Sequence, residues 1–242
     1  MSSENYIYCY QGTALRIRGT TSVIGKKDPY NPLGLGYGTM RLKFADGYTP
    51  TVGNLSNVLV DAGENIWDCT SSSAGVPSLP NLRNNTYLIS CVSANMRRST
   101  GTGFVTGLTF KFFGCTNLVS VSLSCTDHVT DMRQVFYGCT SLTSVPLFDT
   151  RSCSNMSYMF FGCTSLTTVP LFDTSSCTNM SYMFSGCTNV QSGSLALYQQ
   201  ASTQTTPPTT YTNTFTNCGS NTVTGAAELA QIPTSWGGTM AE

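Results

Sequence analysis

The chain has 242 residues, with twelve basic and twelve acidic side chains, a single histidine and a formal net charge of zero. Charge this sparse and balanced argues against a basic face for nucleic acid or for an anionic membrane, because phosphate neutralisation supplies most of such affinity, and no Lys or Arg follows Arg151. The length suits one elongated domain with a small one attached.

The start, Met1-Ser2-Ser3-Glu4-Asn5-Tyr6, has no basic region followed by an apolar run, so no signal peptide is expected and export by the usual route is not anticipated. No stretch approaches the 18 or so apolar residues that span a bilayer. Residues 1–70 read as β structure. Tyr6-Ile7-Tyr8-Cys9-Tyr10, Ala14-Leu15-Arg16-Ile17-Arg18 and Met40-Arg41-Leu42-Lys43-Phe44 alternate, with turns at Ala45-Asp46-Gly47 and at Asp61-Ala62-Gly63 after Val58-Leu59-Val60. A small antiparallel domain is predicted. It holds six of the twelve basic residues (Arg16, Arg18, Lys26, Lys27, Arg41, Lys43), which suits docking to a specific neighbour. Residues 71–81, rich in serine and proline, form the junction.

From 82 to 218 the chain repeats. Phe112-Phe113-Gly114-Cys115, Phe136-Tyr137-Gly138-Cys139, Phe160-Phe161-Gly162-Cys163 and Phe184-Ser185-Gly186-Cys187 follow one another at a strict step of 24 residues. Such a period predicts stacked repeats with capping ends. Within one copy, Met156, Met159, Phe160 and Cys163 fall at i, i+3, i+4 and i+7, which predicts one face of a short helix. Gly162 stands where a left-handed residue would end it. Leu166, Val169 and Leu171 then give L-x-x-V-x-L, the strand signature of a leucine-rich repeat, as do Leu118, Val121, Leu123 and Leu142, Val145, Leu147. The predicted fold is α+β: the small antiparallel domain, then a leucine-rich-repeat solenoid of about six units with short parallel strands and short helices. Between Cys187 and Cys218 the interval is 31, so seven extra residues lie between Ser192 and Pro208. Residues 219–242 are read as a C-terminal cap and tail, with one helix through Ala226-Ala227-Glu228-Leu229-Ala230.

Pro146-Leu147-Phe148-Asp149-Thr150, Asn155-Met156-Ser157-Tyr158-Met159-Phe160 and Phe161-Gly162-Cys163-Thr164-Ser165-Leu166 closely resemble the BspA-like leucine-rich repeats. Those occur in surface proteins of gut and oral bacteria, in mycoplasma lipoproteins and in proteins of their phages. The segment around Met40–Thr51 and Asn65–Asp68 also looks like a module that precedes such repeats in gut bacterial and phage sequences. The resemblance implies a solenoid and a binding role, without naming a ligand.

Eleven cysteines invite a disulfide reading, but an odd count without a secretory signal favours free thiols. Phe112, Phe136, Phe160 and Phe184, with Cys115, Cys139, Cys163 and Cys187, are taken as the repeat core, the thiols acting as small buried hydrophobes. Cys153 and Cys177 form a second series with Val129 in the matching place, which argues for packing. No C-x-x-C pair supports zinc. His128, near Cys125, Asp127 and Asp131, could suggest a Cys–His nucleophile, but these align with variable turn positions in other repeats. Asp149 and Asp173 are read as turn caps rather than calcium ligands, and Asn155 and Asn179 as turn or helix-start residues.

On the predicted strands, Leu147 and Leu171 would point inward. Alternation then turns Ser144, Pro146, Phe148, Thr168, Pro170 and Phe172 outward as a binding stripe of hydroxyl, proline and aromatic groups. No cofactor, metal or catalytic group is expected, and the chain is read as no enzyme. The expected role is a bacteriophage virion component, in tail, fibre or capsid decoration. Its N-terminal domain would contact other virion proteins and its repeats a host-surface glycan or protein, self-association included. The alternative is a bacterial cell-surface adhesin. Neither nucleic acid nor membrane insertion is expected.

Overall fold

The computed structural model describes residues 39–50, 55–71, 81–94, 106–123 and 126–241. The predicted strands at Tyr6–Tyr10 and Ala14–Arg18 lie outside the described residues. Strands β1 (Thr39–Phe44), β2 (Leu55–Asp61), β3 (Ile66–Ser71), β4 (Leu88–Ala94) and β5 (Ser120–Val121) form one sheet in the order β2-β3-β1-β4-β5. β1 runs antiparallel to β3 and β4, β2 pairs antiparallel with β3, and β4 is parallel to β5. The sheet therefore takes strands from both sides of the predicted 71–81 junction. The turn at Asp46-Gly47 is present, with Gly47 left-handed (φ 76°), but it does not join neighbouring strands, since β3 lies beside β1. The β2–β3 hairpin closes through the Asp61 carboxylate, which accepts from the Gly63 and Glu64 N–H groups at 2.9 and 3.1 Å.

β1 has the alternation of a half-buried strand. Met40, Leu42 and Phe44 are buried, while Arg41 and Lys43 stand on the other face. Arg41 lies opposite Asp68 on β3 and pairs with it at 2.7 Å, and Lys43 pairs with Glu64. Among the described strands β2 is the outermost, and Val58, Leu59 and Val60 on it are all exposed.

The leucine-rich-repeat solenoid of parallel strands and helices does not form. Among the described residues there is a five-stranded mixed sheet and only two α-helices, α1 (Ser194–Thr203) and α2 (Val223–Leu229), neither of them inside a 24-residue repeat. The repeats are built from turns instead. The predicted helix is interrupted by a left-handed residue at its centre: Phe110, Gln134, Tyr158 and Tyr182 have φ between 54° and 61°. A second left-handed residue follows four positions later at Gly114, Gly138, Gly162 and Gly186. The chain thus winds back on itself every few residues, and the 3.6-residue helical path is closed to it.

The hydrogen bonds show what replaces the helix. Met156, Tyr158, Phe160 and Gly162 donate their N–H groups to Asn179, Ser181, Met183 and Ser185 carbonyls of the following repeat, each at 2.9 Å. The residues between them turn inward: Met159, Phe161 and Cys163 donate to carbonyls three residues back, at 3.1–3.3 Å. Asn155 opens the turn by accepting from Ser157 N–H at 3.0 Å, as Asn179 does from Ser181 and Asp131 from Arg133. The predicted strands fail for a different reason. Pro146 and Pro170 cannot donate to a ladder, and beyond β5 the Leu-x-x-Val-x-Leu segments keep only an isolated bridge, Thr168↔Ser192.

Side chains stack at the same 24-residue step. Phe112, Phe136, Phe160 and Phe184 form a column of nearly parallel rings with centroids 5.1–5.3 Å apart, continued by Phe215 and then Trp236. Beside it run the thiols. Cys115, Cys139, Cys163 and Cys187 are buried and free, and each Sγ lies 3.0–3.1 Å from a main-chain carbonyl of the preceding repeat: those of Leu82, Phe112, Phe136 and Phe160. Cysteine here fills an apolar slot and also donates a weak hydrogen bond. Cys163→Ser keeps an acceptor in Phe136 O, so it should destabilise by only about 1 kcal/mol, the low end for a buried hydroxyl, read as a shift in the urea midpoint.

Burial pushes the Cys115 and Cys163 thiols up to about 12, and Cys139 and Cys187 well above their ordinary value near 9. In the unfolded chain these thiols ionise near 9; in the folded chain they do not. The stabilisation is therefore complete below about pH 9 and is lost as pH rises towards 12. Each thiol adds up to about 1.4 kcal/mol of destabilisation per pH unit in that window. A urea midpoint flat from pH 7 to 8.5 and falling steeply above 9 is expected. A midpoint unchanged at pH 10.5 would contradict a protonated thiol column.

The C-terminal end is closed by α2 and the residues after it. Thr222 caps α2 by accepting from Gly225 N–H at 3.0 Å, Leu229 and Ile232 are buried, and Phe215 N–H donates to Trp236 O. The seven extra residues of the 31-residue interval are accommodated by α1.

Candidate binding surface

The stripe expected on the strands lies on one side of the repeats, but its parity is shifted. Ser144, Pro146 and Thr168 are exposed and Pro170 is half-buried. Phe148 and Phe172 are buried, whereas Leu147 is 66 % and Leu171 51 % exposed. The two phenylalanines are therefore core and the two leucines are surface, the reverse of the alternation read from the sequence. In the later repeat the cause is a tight turn: Phe172 N–H donates back to Pro170 O at 3.0 Å. This three-residue turn points Leu171 out and swings Phe172 onto Phe160, ring centroids 6.0 Å apart. Phe148 lies in register between Phe136 and Phe172, at 6.1 and 6.0 Å.

Around the two leucines lies an open groove of about 760 Å³, lined by Leu147, Phe148, Asp149, Thr150, Arg151, Leu171, Asp173, Ser175, Gln200 and Gln204. The last two come from α1 and its C-cap and form one wall. Gln200 Nε2 donates to Phe172 O at 2.5 Å and Gln204 Nε2 to Thr174 O at 2.9 Å. Gln204 Oε1 accepts from the Thr174 hydroxyl at 2.8 Å, just as the Asp173 carbonyl accepts from the Thr150 hydroxyl one repeat earlier. The glutamine amide thus stands in for the main chain of a further repeat. Sequence reasoning missed both glutamines; their i, i+4 spacing within the 31-residue interval was the available signal.

Two carboxylates face the groove and are held below their ordinary range. The Arg151 guanidinium, bonded through Nε at 2.8 Å, lowers Asp149. The Ser175 hydroxyl and N–H lower Asp173, the latter bonding at 2.9 Å. Both aspartates cap their own turns, Asp149 by accepting from Arg151 N–H at 3.2 Å.

A second row, not foreseen from the sequence, consists of half-buried aromatics. Phe113, Tyr137 and Phe161 stack at 4.6 and 4.8 Å within 10° of parallel, and Tyr158 stacks on Tyr182 at 4.8 Å. These spacings match that of hydrogen-bonded strands. Arg83 covers the outer face of Phe113 at 4.5 Å. Within each stack the inner ring faces are taken up by one another.

The chemistry-bearing residues do not converge. His128 Nε2 lies 3.4 Å from Asp127 Oδ2, Cys125 is outside the described residues, and no group of three His, Cys, Asp or Glu among the described residues could hold a metal ion. Cys153 and Cys177 are buried, with each Sγ 3.4 Å from the carbonyl two residues on.

A family model described as "Mycoplasma protein of unknown function, DUF285" matches residues 106–222. The match covers the repeats and β5 and leaves out β1 to β4. No curated protein and no solved structure matches the chain.

Proposed function

We propose that this chain is a non-enzymatic binding protein of a bacteriophage virion, in tail, fibre or capsid decoration, whose BspA-like repeats recognise a host-surface glycan or protein. The observation that carries the binding reading is the groove of Leu147, Leu171, Asp149, Asp173 and Gln200: a concave, ligand-sized surface with exposed apolar groups and fixed polar ones. The lack of convergent acid, base and nucleophile among the described residues speaks for binding over turnover. The virion assignment rests on the resemblance of the repeats to those of phage proteins. Attachment through the N-terminal half is supported by β2, the outermost of the described strands, where three successive large apolar residues, Val58, Leu59 and Val60, face solvent.

A cell-surface adhesin is the second reading, favoured by the match to a family described from Mycoplasma. Gold-labelled antibody against residues 106–222, applied to a lysate of the culture that makes the protein, separates the two. Label on phage particles is expected. Label on cell envelopes selects the adhesin. Label on neither, with the protein free in solution, overturns both.

A further inference from the structure

We infer that the groove beside α1 takes an extended polypeptide segment bearing an aliphatic and a basic side chain, rather than a glycan. The inference rests on the reading of the repeats as a recognition surface and narrows its ligand class.

The first observation is how the chain completes its own main chain at this face. In the later repeat, Phe172 O is bonded by Gln200 and Thr174 O by Gln204. One repeat earlier the corresponding Phe148 carbonyl has no hydrogen-bond partner among the described residues, and the Leu147, Phe148 and Asp149 N–H groups have none either. Residues that line the groove thus carry main-chain donors and an acceptor without a protein partner, next to an example of how a protein amide fills such a position. An extended polypeptide supplies both kinds of group at the strand spacing.

The second observation is apolar. Leu147 and Leu171 are the exposed ridges of the groove. A glycan could bond the open carbonyl, but no aromatic face is offered for its ring, since Phe148 and Phe172 are buried. Two leucines are covered well by an aliphatic side chain, and burying them is favourable in proportion to the apolar area removed from water. The third observation is charge. Arg151 is ion-paired with Asp149 and reaches Asp173 only as a more distant charge, whereas the Asp173 carboxylate is hydrogen-bonded only by Ser175 of its own turn, which leaves the groove a net negative charge. A Lys or Arg on the occupant meets it.

The test uses the full chain as bait for a displayed library of random twelve-residue peptides, and in parallel on an array of bacterial surface oligosaccharides. Selected peptides are synthesised and titrated against the wild type, Leu147→Asp, Leu171→Asp and Asp173→Asn. All three positions are solvent-accessible, and unchanged melting temperatures check that the variants are folded. Peptides carrying an aliphatic and a basic residue should be enriched. They should bind at least tenfold more weakly to either leucine variant and about threefold more weakly to Asp173→Asn, with loss of salt dependence. Oligosaccharide binding without peptide enrichment overturns the inference and leaves the recognition role standing. Peptides that bind all variants equally also overturn it. Binding to neither library overturns the inference and the repeat-surface recognition role together.

Discussion

Phe160→Ala should lower the free energy of unfolding by about 3–5 kcal/mol, the range for deleting a fully buried phenylalanine with little collapse around it. Phe160 sits at the crossing of two ring series: Phe136 and Phe184 on either side at 5.3 and 5.1 Å, and Phe172 at 6.0 Å. Its neighbours cannot close the gap, because each repeat is pinned to the next by main-chain hydrogen bonds on both sides of the ring: Phe160 N–H to Met183 O, and Phe136 N–H to Met159 O, each at 2.9 Å. The adjacent Phe161 provides the control. It is stacked on Tyr137 at 4.8 Å but half-buried, so Phe161→Ala should lose about 1–2 kcal/mol. Urea unfolding of both variants measures the difference. Equal losses would mean that the inner column does not carry the packing of the repeats.

The same two residues show how far the sequence could be read. The 24-residue step, the column of Phe and Cys, the turn-capping role of Asp149 and Asp173 and the position of the extra residues were all legible, because period and turn chemistry are local signals. The path of the chain inside a repeat was not. Met156, Met159, Phe160 and Cys163 share a face in both a helix and the observed series of turns, so the i, i+3, i+4, i+7 pattern could not distinguish them. What decides is Tyr158, an aromatic in the left-handed region, where glycine or asparagine is the usual occupant. Nothing in its identity announces that conformation. Its stacking on Tyr182, and the bond from its N–H to Ser181 O, offset the strain in the folded chain alone. The groove was half-legible. The segment was found, but strict alternation presumed a strand, and one proline-led turn reverses which of Leu171 and Phe172 meets solvent.

Gly193→Ala should destabilise the protein by about 4 kcal/mol or more, the range reached when main-chain atoms are forced apart at a special backbone conformation. Gly193 is left-handed (φ 99°), and an added Cβ would collide with the Val169 carbonyl oxygen and stand 3.1 Å from its carbon. Those are main-chain atoms, and they are not free to retreat: Val169 N–H is bonded to Ser192 O at 2.9 Å, directly before the glycine. Gly193 is also the N-cap of α1. Its N–H and that of Leu195 donate to the two Glu228 carboxylate oxygens of α2, at 3.2 and 3.1 Å, a carboxylate at a helix N-terminus where the dipole favours it. Moving Gly193 therefore disturbs the last repeat, both helices and the glutamine wall of the groove together. Gly162→Ala isolates conformation from contact. Gly162 is left-handed as well (φ 69°), but nothing lies within 4 Å of its added Cβ, so only the left-handed strain of about 1–2 kcal/mol applies. Gly162→Asn should lose less still, since Asn217 occupies the matching slot with φ 57°. Urea titration should rank Gly162→Asn, Gly162→Ala and Gly193→Ala in increasing loss, with only the last losing the α1 helical signal. If Gly193→Ala proved as stable as Gly162→Ala, the last repeat and α1 could separate at little cost, and the groove would lose the rigid wall on which it depends.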